Sequence, residues 1–273
     1  MKIAVIGGTG FIGSYLVKFF IKKKIRIIAT YTNKKKLFFN KTVKWKYLNI
    51  YKEKNYYKYL GNPDLVIHLS WGGLPNYNKI SHIKHELNFQ KSFIKGLISK
   101  GLKNIFISGT CYEYGKKKGK LNENMPTNPN NQYSKAKNEL RKYLFKLKEK
   151  YYFNLTWGRI FYIYGKHNSR STLYNQILES PKNNSVVYVQ GNLIRDYLHI
   201  NELVKLIYRI SLKKNTNIIN ICSGKGIRLK NLIKKICKDE DIKPNIIYVK
   251  NKISKYESNA FYGDSKKLRK FLK

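Results

Sequence analysis

Through the first half of the chain, short runs rich in β-branched residues alternate with longer stretches whose apolar side chains recur every three or four positions. Residues 2–6, 26–30, 64–70, 104–108 and 155–161 read as strands. Residues 12–23, 82–100 and 134–150 each carry one apolar stripe and read as amphipathic helices. This alternation predicts parallel strands joined by helical crossovers, hence an α/β fold with a Rossmann-like, doubly wound parallel sheet. After position 161 the rhythm loosens into loops such as 164–169, with 185–189 and 217–222 as further candidate strands. No internal repeat or flexible linker is evident. The less regular part is expected to form a small, discontinuous C-terminal lobe over the carboxyl edge of the sheet, where α/β folds bind ligands.

The 273 residues suffice for one large domain or a large and a small one, and 42% hydrophobic residues can fill a core. No stretch of about 18 apolar residues runs without a charge, so no membrane span is expected. Residues 1–6 superficially resemble a secretion signal, but the apolar run ends at Gly7 and reads as the first strand. Cys111, Cys222 and Cys237 are widely spaced and odd in number, which suggests neither a metal site nor a disulfide framework and fits a reducing cytoplasm. The net charge of +41 raises nucleic-acid binding as an alternative. Lysines, however, are spread through nearly every element, alongside the Asn, Ile, Tyr and Phe expected from A+T-rich codons. No zinc finger or RNA-binding aromatic motif accompanies them. Compositional drift is the simpler reading, with a general attraction for anionic ligands as its by-product.

Gly7-Gly8-Thr9-Gly10-Phe11-Ile12-Gly13 follows the first strand and opens the first helix. In that context Gly7 permits a tight turn, Gly10 lets the backbone approach a phosphate, and Gly13 allows close helix–strand packing. The N–H groups of the helix starting near Phe11 would face a pyrophosphate, so a dinucleotide site is expected. Nucleotide preference should show at Thr30-Tyr31-Thr32-Asn33-Lys34-Lys35-Lys36, where the second strand ends. There is no acid to accept a ribose 2′-hydroxyl, and the lysines could neutralise a 2′-phosphate, which favours NADP (NADPH) over NAD.

Tyr133-Ser134-Lys135-Ala136-Lys137 places a phenol and an ammonium four residues apart, on one helix face. A free phenol has a pKa of about 10 and must fall by a few units to exchange protons near neutrality. A nearby ammonium would favour that fall. In a chain with 23 tyrosines the spacing also arises by chance, but here it follows a strand ending in Ser108-Gly109-Thr110.

Together these features resemble the extended short-chain dehydrogenase/reductases, specifically the NAD-dependent epimerase/dehydratase family acting on nucleotide sugars. The resemblance covers almost the whole chain. The glycine loop, Asp64 to Leu69, Asn88, Tyr133 with Lys137, Arg159 and Tyr164-Gly165 fall in the family's order. So do Arg195-Asp196-Tyr197-Leu198-His199-Ile200 and Asn220-Ile221-Cys222-Ser223-Gly224. It implies a dinucleotide-binding domain of residues 1–160, rejoined by about 196–221, and a substrate-binding lobe of about 161–195 and 222–273. Thr110 would be the third catalytic group, beside Tyr133 and Lys137, with Thr110 and Tyr133 also touching the sugar. Gly7, Gly10, Phe11, Ile12, Gly13, Tyr31, Lys34, Asn49, Leu69 and Lys137 would hold the cofactor. Arg195 would pair with the substrate's pyrophosphate; its plainer alternative is an ion pair with Asp196.

Cys111-Tyr112 stand where the sugar 4,6-dehydratases carry an acid and a base, so elimination lacks its machinery and Cys111 reads as a packed thiol. The segment from Gly109 to Gly115 is most similar to that of the nucleotide-sugar 4-ketoreductases that make deoxyhexoses. Tyr162 departs from the family's asparagine at that position, and the histidines, His68 and His199 included, have no metal spacing. The resemblance therefore implies a cytoplasmic, homodimeric enzyme that reduces the 4-keto group of a nucleotide-activated 6-deoxyhexose in surface-polysaccharide synthesis. The alternatives are a 4-epimerase with retained NAD and a non-catalytic NADP sensor or nucleic-acid binder.

Overall fold

The computed structural model describes residues 1–34, 37–52, 55–166, 172–250 and 256–273. Its central sheet has seven strands: β1 (Ile3–Ile6), β2 (Ile27–Tyr31), β3 (Val43–Tyr47), β4 (Leu65–His68), β5 (Asn104–Thr110), β6 (Asn154–Ile160) and β7 (Asn217–Ile221). Their order is β3-β2-β1-β4-β5-β6-β7, with every neighbouring pair parallel. The chain winds from β1 outward to β3, returns to β4, and winds the other way. That reversal opens a crevice at the carboxyl ends of β1 and β4.

Burial on both faces explains the unbroken apolar character of these strands. In β1, Ile3 and Val5 join one core while Ala4 and Ile6 join the other. The first core is covered by helices α1 (Phe11–Lys22) and α4 (Ile200–Ser211), the second by α2 (Leu87–Ser99) and α3 (Gln132–Leu147). The edge strand β3 was not apparent from the sequence. Its Val-Lys-Trp-Lys-Tyr alternation buries only Val43, so it lacks the continuous apolar signal of the inner strands. The expected helix over 82–100 is divided: a π-helical turn, His82–Glu86, precedes α2.

Beyond β6, short strand pairs tie the chain together. Tyr162–Tyr164 runs beside Tyr197–His199, and Gly119–Leu121 beside Phe261–Gly263. A third apolar cluster lies apart from the sheet, where helices Leu173–Asn183 and Leu229–Asp239 meet through Tyr174, Ile177, Leu232 and Ile236. The last helix, Lys266–Leu272, returns to the sheet, burying Leu268 in the core shared with α1 and α4. Of the expected loop 164–169, residues 167–169 lie outside the described residues.

Candidate active site

The glycine loop turns immediately past β1. Gly7 takes φ +85°, a left-handed conformation suited to glycine, and its amide donates to Thr30 Oγ1 at 3.0 Å. At Gly13 a Cβ would lie 2.0 Å from the Gly7 carbonyl oxygen, so helix and loop meet backbone to backbone. Gly10 precedes α1 with no side chain capping the helix and no acid in its first turn. A helix start left in that state presents a positive end to an anion. The cradle fits a pyrophosphate.

Toward the far edge, Tyr31 ends β2 with its ring edge-on to Tyr47 at 5.9 Å, and the Lys34 carbonyl accepts from the Leu37 amide at 3.0 Å. Asn49 lies past β3, its side chain accepting from the Tyr51 amide and its carbonyl from the Tyr56 hydroxyl. Lys35 and Lys36 lie outside the described residues, so among those described the case for a 2′-phosphate rests on Lys34.

On the other side of the reversal, a cavity of about 280 Å³ gathers Thr110, Tyr133 and Lys137 with Ile12 and Leu69. Thr110 is the last residue of β5, and its Oγ1 accepts from the Tyr112 amide at 3.2 Å. That leaves the hydroxyl proton for another acceptor. Asn131 caps α3, accepting from the Ser134 amide at 2.8 Å, which sets Tyr133 and Lys137 one turn apart at the helix start. Lys137 is only 2% exposed; its Nζ donates to the Ser108 carbonyl at 2.8 Å and stands 4.2 Å from the centre of the Trp71 ring. No carboxylate lies within ion-pair distance of it among the described residues.

Burial pushes the Lys137 ammonium down to about 7, against the opposing pull of Glu113 and Glu86. Burial also pushes the Tyr133 phenol above its ordinary range, and Tyr77, Glu113 and Cys111 add to the rise. The net shift is therefore a rise and not the expected fall, because burial outweighs what the neighbouring Lys137 ammonium can offset. Both groups have left water, and each is driven toward its neutral form.

Arg195 is buried but does not line this cavity. Its Nη2 and Nε donate to Glu257 Oε2 at 2.7 and 3.2 Å, and its guanidinium stacks 4.4 Å from the Phe261 ring centre. The alternative pairing with Asp196 is not formed, because Asp196 accepts the amides of Ser223, Gly224 and Gly263. Tyr162 donates to the same Glu257 oxygen at 2.5 Å. With that proton committed, the 3.1 Å contact between the Tyr112 and Tyr162 hydroxyls has Tyr112 as donor. Arg195 thus reaches the cavity through two phenols that do line it. Cys111 is a buried thiol whose pKa burial pushes up, as expected of a packed cysteine. His68 is pushed down to about 4, chiefly by burial, and lies against Gln90. Asn88 is exposed on α2, its amide 3.4 Å from the Lys84 carbonyl.

The sequence did not reveal Trp71, Tyr77, His82 or Glu113 as parts of this site. A signal existed for the first. Trp71-Gly72-Gly73 falls just past the carboxyl end of β4, where α/β sheets place ligands. No group of three or more His, Cys, Asp or Glu that could hold a metal occurs among the described residues. No described helix is long and apolar enough to cross a membrane.

A doubly wound sheet with a glycine cradle after β1 and a buried Tyr–Lys pair under its carboxyl edge defines a dinucleotide-dependent enzyme of the short-chain dehydrogenase/reductase type. Residues 3–222 match the family model for the NAD dependent epimerase/dehydratase family, and the chain belongs to that family. It is an NAD(P)-dependent oxidoreductase or epimerase. The chain is 27% identical to a dTDP-6-deoxy-L-talose 4-dehydrogenase (NAD(+)) of Aggregatibacter actinomycetemcomitans, over 96% of this chain and 99% of the relative. It is 24% identical to a GDP-6-deoxy-D-talose 4-dehydrogenase of the same organism, over 92% and 85%. Among solved structures it resembles a UDP-N-acetylglucosamine 4-epimerase from Methanobrevibacter ruminantium M1 with a TM-score of 0.85 and 19% identity, covering 99% and 91%. That last likeness is one of fold.

Proposed function

We propose that the protein interconverts a hydroxyl and a ketone at carbon 4 of a nucleotide-activated 6-deoxyhexose, acting as a 4-ketoreductase in the biosynthetic direction. The observation that carries this reading is the cavity itself. Thr110, Tyr133 and Lys137 converge there, while the two following positions hold a protonated thiol, Cys111, and a phenol, Tyr112. Carbonyl chemistry at one carbon has its groups; elimination at its neighbours lacks an acid and a base. The two relatives named above, both 4-dehydrogenases of 6-deoxytalose nucleotides, support the same reading.

When bound, the dinucleotide supplies the hydride donor or acceptor. Everything else falls to the chain. The Tyr133 phenol, kept protonated by burial, gives its proton to oxygen 4 as negative charge develops there. Thr110 donates its uncommitted hydroxyl proton to the same oxygen. Lys137, in its charged form, stabilises the phenolate that remains. Phe11, Ile12, Leu69 and the three cradle glycines hold the cofactor, and Arg195 pairs with the sugar's pyrophosphate after exchanging Glu257. The NADP preference expected from the lysines finds no support in the relatives, one of which is named for NAD(+). NADH is therefore the reductant to test first, with NADPH beside it.

Purified protein with dTDP-4-keto-6-deoxyglucose should oxidise reduced nicotinamide stoichiometrically. Tyr133→Phe should be slower by roughly a hundred- to ten-thousand-fold. Formation of a 4-epimer from a nucleotide hexose, with no net oxidation of cofactor, would replace this reading with an epimerase. Silence in both assays would retire both.

A further inference from the structure

Two groups the reaction does not use are built around Tyr133 and Lys137, which it does. Trp71 follows β4 by three residues, and its indole face underlies the Lys137 ammonium at 4.2 Å. Its N–H donates to His82 Nδ1 at 3.1 Å. An indole can only donate, so His82 Nδ1 is the acceptor and the ring proton sits on Nε2. That nitrogen donates to the Asn76 carbonyl at 2.7 Å. The buried His82 ring also packs edge-on against Tyr133 at 5.7 Å, as Trp71 does at 5.9 Å. The Tyr133 amide donates to the Tyr77 carbonyl of the same loop.

The loop is closely packed. A Cβ at Gly72 would come within 2.7 Å of Glu86 Oε2, and one at Gly73, where φ is +83°, within 2.9 Å of His82 Cε1. Glu86 accepts from the Gly72 amide, the Tyr51 hydroxyl and the Gln90 amide. Both His82 and Glu86 come from the π-helical turn, a departure from regular helix of the kind found at functional sites.

We infer that Trp71 and His82 are positioning residues for the catalytic pair: the indole face holds the Lys137 ammonium, and the histidine, locked in one tautomer, holds the indole. The inference rests on the function proposed above. The other groups facing Lys137 are the Ser108 carbonyl from β5, Tyr133 from its own helix, and Glu113 and Glu86 at longer range. His68 at the end of β4 is neutral. None of these replaces an aromatic face directly under the cation.

Trp71→Leu should lower kcat about 3- to 30-fold, the range of a partly desolvated cation–π contact, with KM for the sugar unchanged. The alkaline limb of its pH–rate profile should move to lower pH, because the indole favours the charged lysine. Trp71→Phe, which keeps a ring, should fall between it and the wild type. His82→Gln, which offers an acceptor and a donor in the same order, should stay near wild type, whereas His82→Leu should follow Trp71→Leu. A readout without substrate separates this from the reaction assigned. Wild-type tryptophan emission should titrate with the loss of the lysine charge, and the step should vanish in both Trp71→Phe and Lys137→Met. Persistence of that step in Trp71→Phe, or a wild-type kcat and alkaline limb in Trp71→Leu, would overturn the inference, whatever sugar the enzyme takes.

Discussion

Two charges are buried beside Thr110, one on its amide and one in the cavity it lines, and their surroundings are opposite. The Glu113 carboxylate, fully enclosed, accepts from Arg159 Nε at 3.0 Å, Trp157 Nε1 at 2.9 Å and the Thr110 amide at 3.0 Å, with Arg141 Nε at 3.5 Å. Its cations are themselves covered, Arg159 stacking on Tyr114 at 4.5 Å. Lys137, equally buried, has one carbonyl and two ring faces. A buried charge surrounded by partners fixes a turn and holds β5, β6 and α3 in register. A buried charge left short of partners beside a cavity remains ready to change its protonation state, which is where chemistry is done. Arg195 stands between the two, paired with one carboxylate that is itself 22% exposed.

The contrast can be broken in order of size. Glu113→Ala strands Arg159 without its carboxylate and should cost about 3–5 kcal/mol of stability, seen as an early midpoint in urea. Glu113→Gln, which keeps an acceptor for Trp157 and the Thr110 amide, should recover part of that loss. If both variants melt like the wild type, the carboxylate is not the anchor its contacts describe. Glu257→Gln should cost less, about 1–2 kcal/mol, since the Glu257 side chain is partly exposed and its partner Arg195 also stacks on Phe261. It should at the same time tighten binding of a nucleotide diphosphate sugar by releasing the guanidinium. Weaker binding in calorimetry would mean that Glu257, not Arg195, is the group the substrate needs.

The inner strands were legible because burial on both faces leaves a continuous apolar run, and the glycine loop because its steric demands are local. Gly13 needs its missing Cβ for a reason visible within seven residues. Tyr133 and Lys137 were legible by helical spacing. The edge strand β3 and the short strand pairs beyond β6 were not, since half-exposed strands and two-residue pairings such as Ile194–Arg195 with Ile227–Arg228 leave almost no periodicity. The partner of Arg195 is 62 residues away in sequence, and Asp196, its neighbour, is taken by three backbone amides. The protonation states were the least legible part. Spacing shows that an ammonium adjoins a phenol, but not that both have been removed from water.

The most direct test of the account is the stability of the wild type and Lys137→Met as a function of pH. In the unfolded chain the lysine keeps its proton up to about 10.5, whereas in the folded protein it loses it near 7. Between those values the unfolded state holds the extra proton, so wild-type stability should rise with pH relative to the variant. Below about pH 7 the variant should be the more stable of the two by a few kcal/mol, at roughly 1.4 kcal/mol per pH unit of displacement. The difference should shrink steadily from neutral pH toward 10. Parallel stability curves would show that Lys137 has its charge compensated after all, and would contradict the central claim that this site is built around an unpaired buried cation.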